Sequence, residues 1–161
     1  MADTSYPGDE ATPEGMQALA DEYRKAAKAL RQRIVPGERL SRAPFHLTAI
    51  HAVELYLDAF LLKRGRTPSY IRRLQHDLGK RAELAIEGQL SLRKGTVEHL
   101  CKLSDSREYV VSRYAPELVA AMSELNRLEA TLDDVAEKVS KAGKIVASSA
   151  TPLSARYSPR A

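Results

Sequence analysis

The chain has 161 residues, of which 43% are hydrophobic, so it is long enough and apolar enough to bury one core and is excluded from the disordered class. Its net charge of +4 permits an acidic partner such as RNA or a nucleotide phosphate without demanding one. Cys101 stands alone, which excludes an intramolecular disulfide and a cysteine-built zinc site.

Aromatic residues are only 6% of the chain, there is no Trp, and Ala, Leu, Glu, Lys and Arg dominate, which is the composition of a helical bundle. Residues 1–11 are polar with Pro and Gly, carry no basic-then-apolar leader pattern, and read as a flexible N-terminus. Thr12 followed by Pro13 opens a first helix, on which Met16, Leu19, Tyr23, Ala27, Leu30 and Ile34 recur at three and four. Pro36-Gly37 ends it. A second helix starts near Ser41 or Ala43, with Pro44 in its first turn, and stops at Gly65. Phe45, Leu47, Ile50, Val53, Leu57, Phe60 and Leu61 make it apolar round most of its circumference, which places it at the centre. Glu54 and Asp58 interrupt that run, so no apolar stretch is expected to span a membrane, and a cytoplasmic location follows as the expectation.

A basic link through Pro68 leads to a third helix, with Ile71, Leu74, Leu78, Ala82 and Ala85 in register up to Gly88. Residues 89–95 read as a loop. Thr96 is the expected cap of a fourth helix carrying Leu100, Leu103, Arg107, Val110 and Tyr114, interrupted at Ala115-Pro116. Cys101 falls among apolar neighbours there and reads as a buried small hydrophobe. A fifth, long helix shows a heptad seam of Leu118, Ala121, Leu125, Leu128, Leu132, Val135 and Val139, and Gly143 is expected to end it. Residues 143–161 read as a flexible basic tail. The expected fold is all-α: a single five-helix up-and-down bundle over residues 12–142.

Three polar residues of the second helix, His51, Glu54 and Asp58, share one face at i, i+3 and i+7. A carboxylate-bridged metal bundle would need Glu-x-x-His pairs, and the chain contains none, so no metal or cofactor is expected. Arg107 lies on the otherwise apolar stripe of the fourth helix and wants a carboxylate, so it is expected within ion-pair reach of Glu54 or Asp58. The patch reads either as a structural ion pair or as a ligand site. Lys63, Arg64, Arg66, Arg72, Arg73, Lys80 and Arg81 crowd residues 63–81 against one acid, Asp77, as a solvated surface or an anion-binding patch. No Gly-rich phosphate loop and no Ser-His-Asp or Cys-His arrangement stands out. The seam of the fifth helix serves either a dimer or the chain's own bundle.

"HLTAIHAVELYLDAFLLKRG", then "LQHDLGKRAELA", then "REYVVSRYAPE" resemble the HEPN (higher eukaryotes and prokaryotes nucleotide-binding) domain family over about residues 43–117. The residues that carry the likeness are His51, Glu54, Leu57 and Ala59, then His76, Asp77 and Leu78, then Arg113 and Tyr114. The resemblance implies a helical module that pairs with a second copy. In some members it also pairs with a nucleotidyltransferase in a toxin–antitoxin system. Ribonucleases of the family share an Arg-x(4–6)-His motif on a late helix, and Arg39…His46 and Arg93…His99 match its spacing. The stretch from Arg107 to Arg113 contains no histidine, and Asp58 stands where a Lys is usual. These departures point to a non-enzymatic binding and dimerisation module for nucleotide or RNA, with His51, Glu54, Asp58, His76, Asp77, Arg107, Arg113 and Tyr114 as its binding residues. The alternatives are a metal-independent endoribonuclease cutting single-stranded RNA, and a small-molecule-binding bundle using Glu54, Asp58 and Arg107.

Overall fold

A computed structural model describes residues 5–149 of the protein, with side chains as far as Lys144. The chain is all-α, with no strand among the described residues. Its helices are α1 (Pro13–Gln32), α2 (Ala43–Lys63), α3 (Pro68–Arg73), α4 (Leu78–Glu87), α5 (Lys94–Asp105), α6 (Glu108–Tyr114) and α7 (Leu125–Ser149). Two 3-10 turns, Arg39–Arg42 and Pro116–Ala121, join them.

α2 is the axis of the bundle. Phe45, Tyr56, Leu57 and Leu61 on different sides of it are all sealed from solvent, because α1, α4, α6 and α7 pack around it. By length and composition the stretch Arg39–Lys63 could cross a membrane, contrary to the sequence expectation, but most of it is buried inside the bundle. α1 starts where Thr12 accepts a hydrogen bond from the Gly15 N–H at 3.0 Å, with Pro13 as its first residue. Arg24 and Lys28 of α1 reach Asp133 of α7 at 2.8 and 2.9 Å, and Lys28 also reaches Glu129 at 2.9 Å. Half-exposed pairs of this kind contribute at most about 1 kcal/mol each.

The five expected helices divide differently in the structure. The third splits at Gln75, whose φ of 48° is left-handed, because Asp77 turns back to cap α4 by accepting from the Lys80 N–H at 2.8 Å. The fourth splits at Arg107, also left-handed at φ 51°. Thr96 is not a cap; it is buried inside α5 with His99, Leu100 and Leu103, the i, i+3, i+4, i+7 face that packs inward. Cys101 lies on the opposite face and is exposed, not buried. The fifth helix begins at Leu125, since Pro116 diverts the chain into a 3-10 turn that buries Val119 and leaves Leu118 49% exposed. It also runs through Gly143 to Ser149.

The seam of α7 is internal. Leu128, Leu132 and Val135 are fully buried and Val139 nearly so, against α2. Residues 5–11 make defined contacts. Tyr6 and Asp9 close a turn, Asp9 pairs with Arg72 at 2.5 Å, and the Arg72 guanidinium lies 4.3 Å from the Tyr6 ring centre. Residues 1–4, and the expected tail beyond Ser149, lie outside the described residues.

Candidate functional site

The polar face of α2 meets α4, and the arginine that answers its carboxylates is Arg81. Arg81 is 2% exposed. Its Nε donates to Asp58 Oδ1 at 2.7 Å, one terminal nitrogen lies 3.6 Å from Glu54 Oε1, and the other donates weakly to the Asp77 carbonyl at 3.4 Å. The expected partner, Arg107, is exposed at the start of α6, because the left-handed break turns it off the helical stripe. Arg81 therefore also leaves the surface patch in which the charge run placed it. A signal was present: Leu78, Arg81, Ala82 and Ala85 fall at i, i+3, i+4 and i+7, so Arg81 lies on the inward stripe of α4.

The three residues of the α2 face have different fates. Glu54 Oε2 lies 3.1 Å from His76 Nδ1. Asp58 is 6% exposed, and burial, opposed by Arg81, pushes its carboxyl up to about 6. His51 stacks edge-on against Tyr23 with ring centres 4.5 Å apart, and burial lowers its pKa. Arg113 is near enough to His51 to push the same way, but it is exposed, as is Tyr114 at 77%. His51, Glu54, Asp58 and His76 thus come together, while Tyr114 stands apart.

Two cavities open on this cluster, and His76 and Gln75 line both. The first, about 540 Å³, has Glu54, Asp58 and Arg81 in its wall, apolar sides from Met16, Leu62 and Ile71, and the N-terminal turn Tyr6–Gly8 and Ala11 across it. The second is a polar groove of about 430 Å³ between α4 and the α5–α6 junction. Arg73, Lys80 and Arg107 converge there from three segments, with Asp77 and Asp105 between them. His76 and Tyr109 form one wall, their rings stacked at 4.6 Å with a 36° tilt. Left-handed Gln75 and Arg107 both border it.

The remaining basic residues disperse. Arg64 lies over the Phe60 ring at 5.1 Å, Arg66 over Tyr70 at 4.8 Å, Arg72 is held by Asp9, and Lys63 reaches the Gly143 carbonyl at 3.5 Å. Of the expected basic patch, only Arg73 and Lys80 join Arg107 on one concave surface.

The two histidines of the Arg-x(4–6)-His matches are both internal. His46 is fully buried, with its ring nitrogens 3.1 Å from the Arg42 carbonyl and 2.8 Å from the Ser123 carbonyl. His99 is 3% exposed, between Thr131 Oγ1 at 2.7 Å and Ser123 Oγ at 2.8 Å. Ser123 directs its own proton to Glu108 at 2.6 Å, so His99 Nε2 donates to the serine and Nδ1 accepts from Thr131. Burial lowers the His99 pKa to about 4, which keeps the ring neutral. Arg39 is exposed, and the Arg93 side chain is 73% exposed beside Asp134. Sequence reasoning missed this Ser123 hub, since its members come from α2, α5, α6 and α7 with no shared motif.

Among the described residues no group of three or more His, Cys, Asp or Glu side chains is arranged to hold a metal ion. Comparison with protein-family models, curated proteins and solved structures finds no match.

Proposed function

We propose that the chain is a non-enzymatic, HEPN-like binding module that takes a phosphate-bearing ligand, nucleotide or single-stranded RNA, in the groove between α4 and the α5–α6 junction. The observation that supports this reading is the convergence of Arg73, Lys80 and Arg107 beside the stacked His76–Tyr109 pair. Cations that track phosphates next to an aromatic wall are the general arrangement for single-stranded nucleic acid. The HEPN-like segments supply His76, Asp77 and Tyr109 to the same groove.

A ribonuclease would need a histidine able to reach the 2′-hydroxyl or the leaving oxygen. His46 and His99, the histidines of the two Arg-x(4–6)-His matches, are enclosed, so neither match can present its histidine to RNA, and this supports binding over cleavage by that motif. Pairing with a second copy, or with a nucleotidyltransferase, would use a surface other than the buried α7 seam. The two 3-10 turns touch, and they leave Leu40 58% and Leu118 49% exposed at one end of the bundle.

The test is fluorescence anisotropy with a labelled single-stranded oligoribonucleotide and with ATP as competitor. Arg73→Glu with Arg107→Glu should weaken binding at least about tenfold. It should also reduce the salt slope, by about 0.7 for each phosphate no longer neutralised. Wild-type protein that binds neither probe, or a double variant that binds as wild type does, refutes the proposal.

A further inference from the structure

We infer that the cavity between α2, α3 and the N-terminal turn is a binding site for a small organic cation: an ammonium or amidinium head on an apolar body. The inference is independent of the groove, since it rests on the opposite charge.

The charged groups in the cavity wall are Glu54, Asp58, Arg72, Arg81 and, when protonated, His76. Arg72 is occupied at the rim by Asp9 and the Tyr6 ring. Arg81 is occupied in the floor by Asp58 Oδ1 and the Asp77 carbonyl. Two carboxylates thus share one buried guanidinium: Arg81 sits 3.6 Å from Glu54 Oε1, while Glu54 Oε2 meets His76 Nδ1 at 3.1 Å. Asp58 is 6% exposed, yet only its Oδ1 is engaged among the described residues. Its Oδ2 is left to solvent on the cavity side, where a donor on a ligand can reach it. An anionic ligand would meet both acids, and a purely apolar one would strip the remaining water from them. A cationic head gives them a counter-charge and donors.

The rest of the cavity suits an apolar body. Met16, Leu62, Pro68 and Ile71 line it, and its volume of about 540 Å³ lies within the usual range for small-molecule sites. Tyr6, Pro7 and Gly8 cross over it, tied to α3 through Arg72. Burial that pushes the Asp58 carboxyl up to about 6 is the penalty that a bound cation would relieve.

The experiment is calorimetric titration of the full chain with matched probes: 2-phenylethylamine and benzamidine as cations, 2-phenylethanol as neutral isostere and phenylacetate as anion. At least one cation should bind saturably, at least tenfold tighter than the alcohol, with no binding of phenylacetate. Glu54→Gln keeps the Asp58–Arg81 pair and should weaken cation binding at least tenfold, whereas Glu117→Gln, on the remote 3-10 turn, should not. Amide chemical-shift changes should cluster at Gly8, Glu54, Asp58 and Ile71. Equal binding of cation and alcohol overturns the inference. So do shifts that cluster elsewhere, or absence of saturable binding by either cation at millimolar concentration.

Discussion

Two buried groups give the protein opposing pH responses that should nearly cancel. Asp58 titrates at about 6 when folded, against an ordinary 3.8. From about pH 4 to pH 6 the native state therefore holds a proton that the unfolded chain has released, and stability falls as pH rises. At about 1.4 kcal/mol per unit, a shift of roughly two units amounts to at most about 3 kcal/mol. His99 moves the other way, from 6.5 to about 4. Between about pH 4 and pH 6.5 the unfolded chain holds a proton that the native ring refuses, so stability rises with pH by a similar amount. His51, lowered by burial, acts in the same direction as His99. Asp133, lowered from 3.8 despite its burial by hydrogen bonds from Arg24 and Lys28, acts only below about pH 4. Urea unfolding followed by far-UV circular dichroism should then give a shallow profile for wild type between about pH 4.5 and 6. Asp58→Asn should expose the histidine response, with stability rising by up to about 2 kcal/mol from His99 over that range. His99→Gln, which keeps a donor for Ser123, should expose the opposite slope. Refutation is simple: both variants retaining the wild-type profile would show that neither group is shifted as its burial implies.

Arg81→Ala should cost about 3–5 kcal/mol in the same unfolding assay, because it leaves Asp58 buried without its counter-charge, while Arg107→Ala should change stability by less than about 0.5 kcal/mol. Arg107→Gly should stabilise by roughly 1 kcal/mol by relieving a left-handed backbone, and a loss there would show that the arginine side chain holds the α5–α6 break. Leu132→Glu should unfold the chain; a folded protein of altered mass by light scattering would restore the α7 seam as an interface. Arg72→Ala should speed cutting after Glu10 by a glutamyl endopeptidase, since it removes both interactions that fasten the N-terminal turn; unchanged cutting means that the turn is held by other groups.

What could be read from the sequence follows the strength of local signals. α1 and α2 were legible because Thr12-Pro13, Pro36-Gly37 and Gly65 bound them and the apolar run of α2 has no rival reading. The breaks at Gln75 and Arg107 were not. Neither is Gly or Pro, and a left-handed conformation at such residues is imposed by packing, not by local preference. The heptad seam was read correctly as apolar, but whether it faces a second copy or α2 depends on tertiary context that periodicity does not encode. The carboxylates Glu54 and Asp58 were found from their spacing on α2. Their partner was misassigned because Arg107 stood out on a long apolar stripe that the fold cuts in two, while Arg81 was hidden inside a run of surface-like charge.

That misassignment bears on how the site works. Had Arg107 closed the α2 carboxylates, cavity and groove would be one acid–base patch with no net preference for ligand charge. With Arg81 in the cavity wall and Arg107 in the groove, the two sites differ in character: Glu54 and Asp58 face Arg81 in one, and Arg73, Lys80 and Arg107 face Asp77 and Asp105 in the other. His76 stands at the boundary, its Nδ1 on Glu54 and its ring on Tyr109. A ligand that draws Glu54 away would release that nitrogen and free the ring to shift against Tyr109, which is the groove wall. If both sites take ligands as proposed, His76 would couple cavity occupancy to groove affinity, and the coupling would be equal in both directions. His76→Gln should uncouple them: in wild type 2-phenylethylamine should change oligoribonucleotide affinity, and in the variant both ligands should bind without influencing each other. Equal coupling in both proteins would place the communication elsewhere than His76.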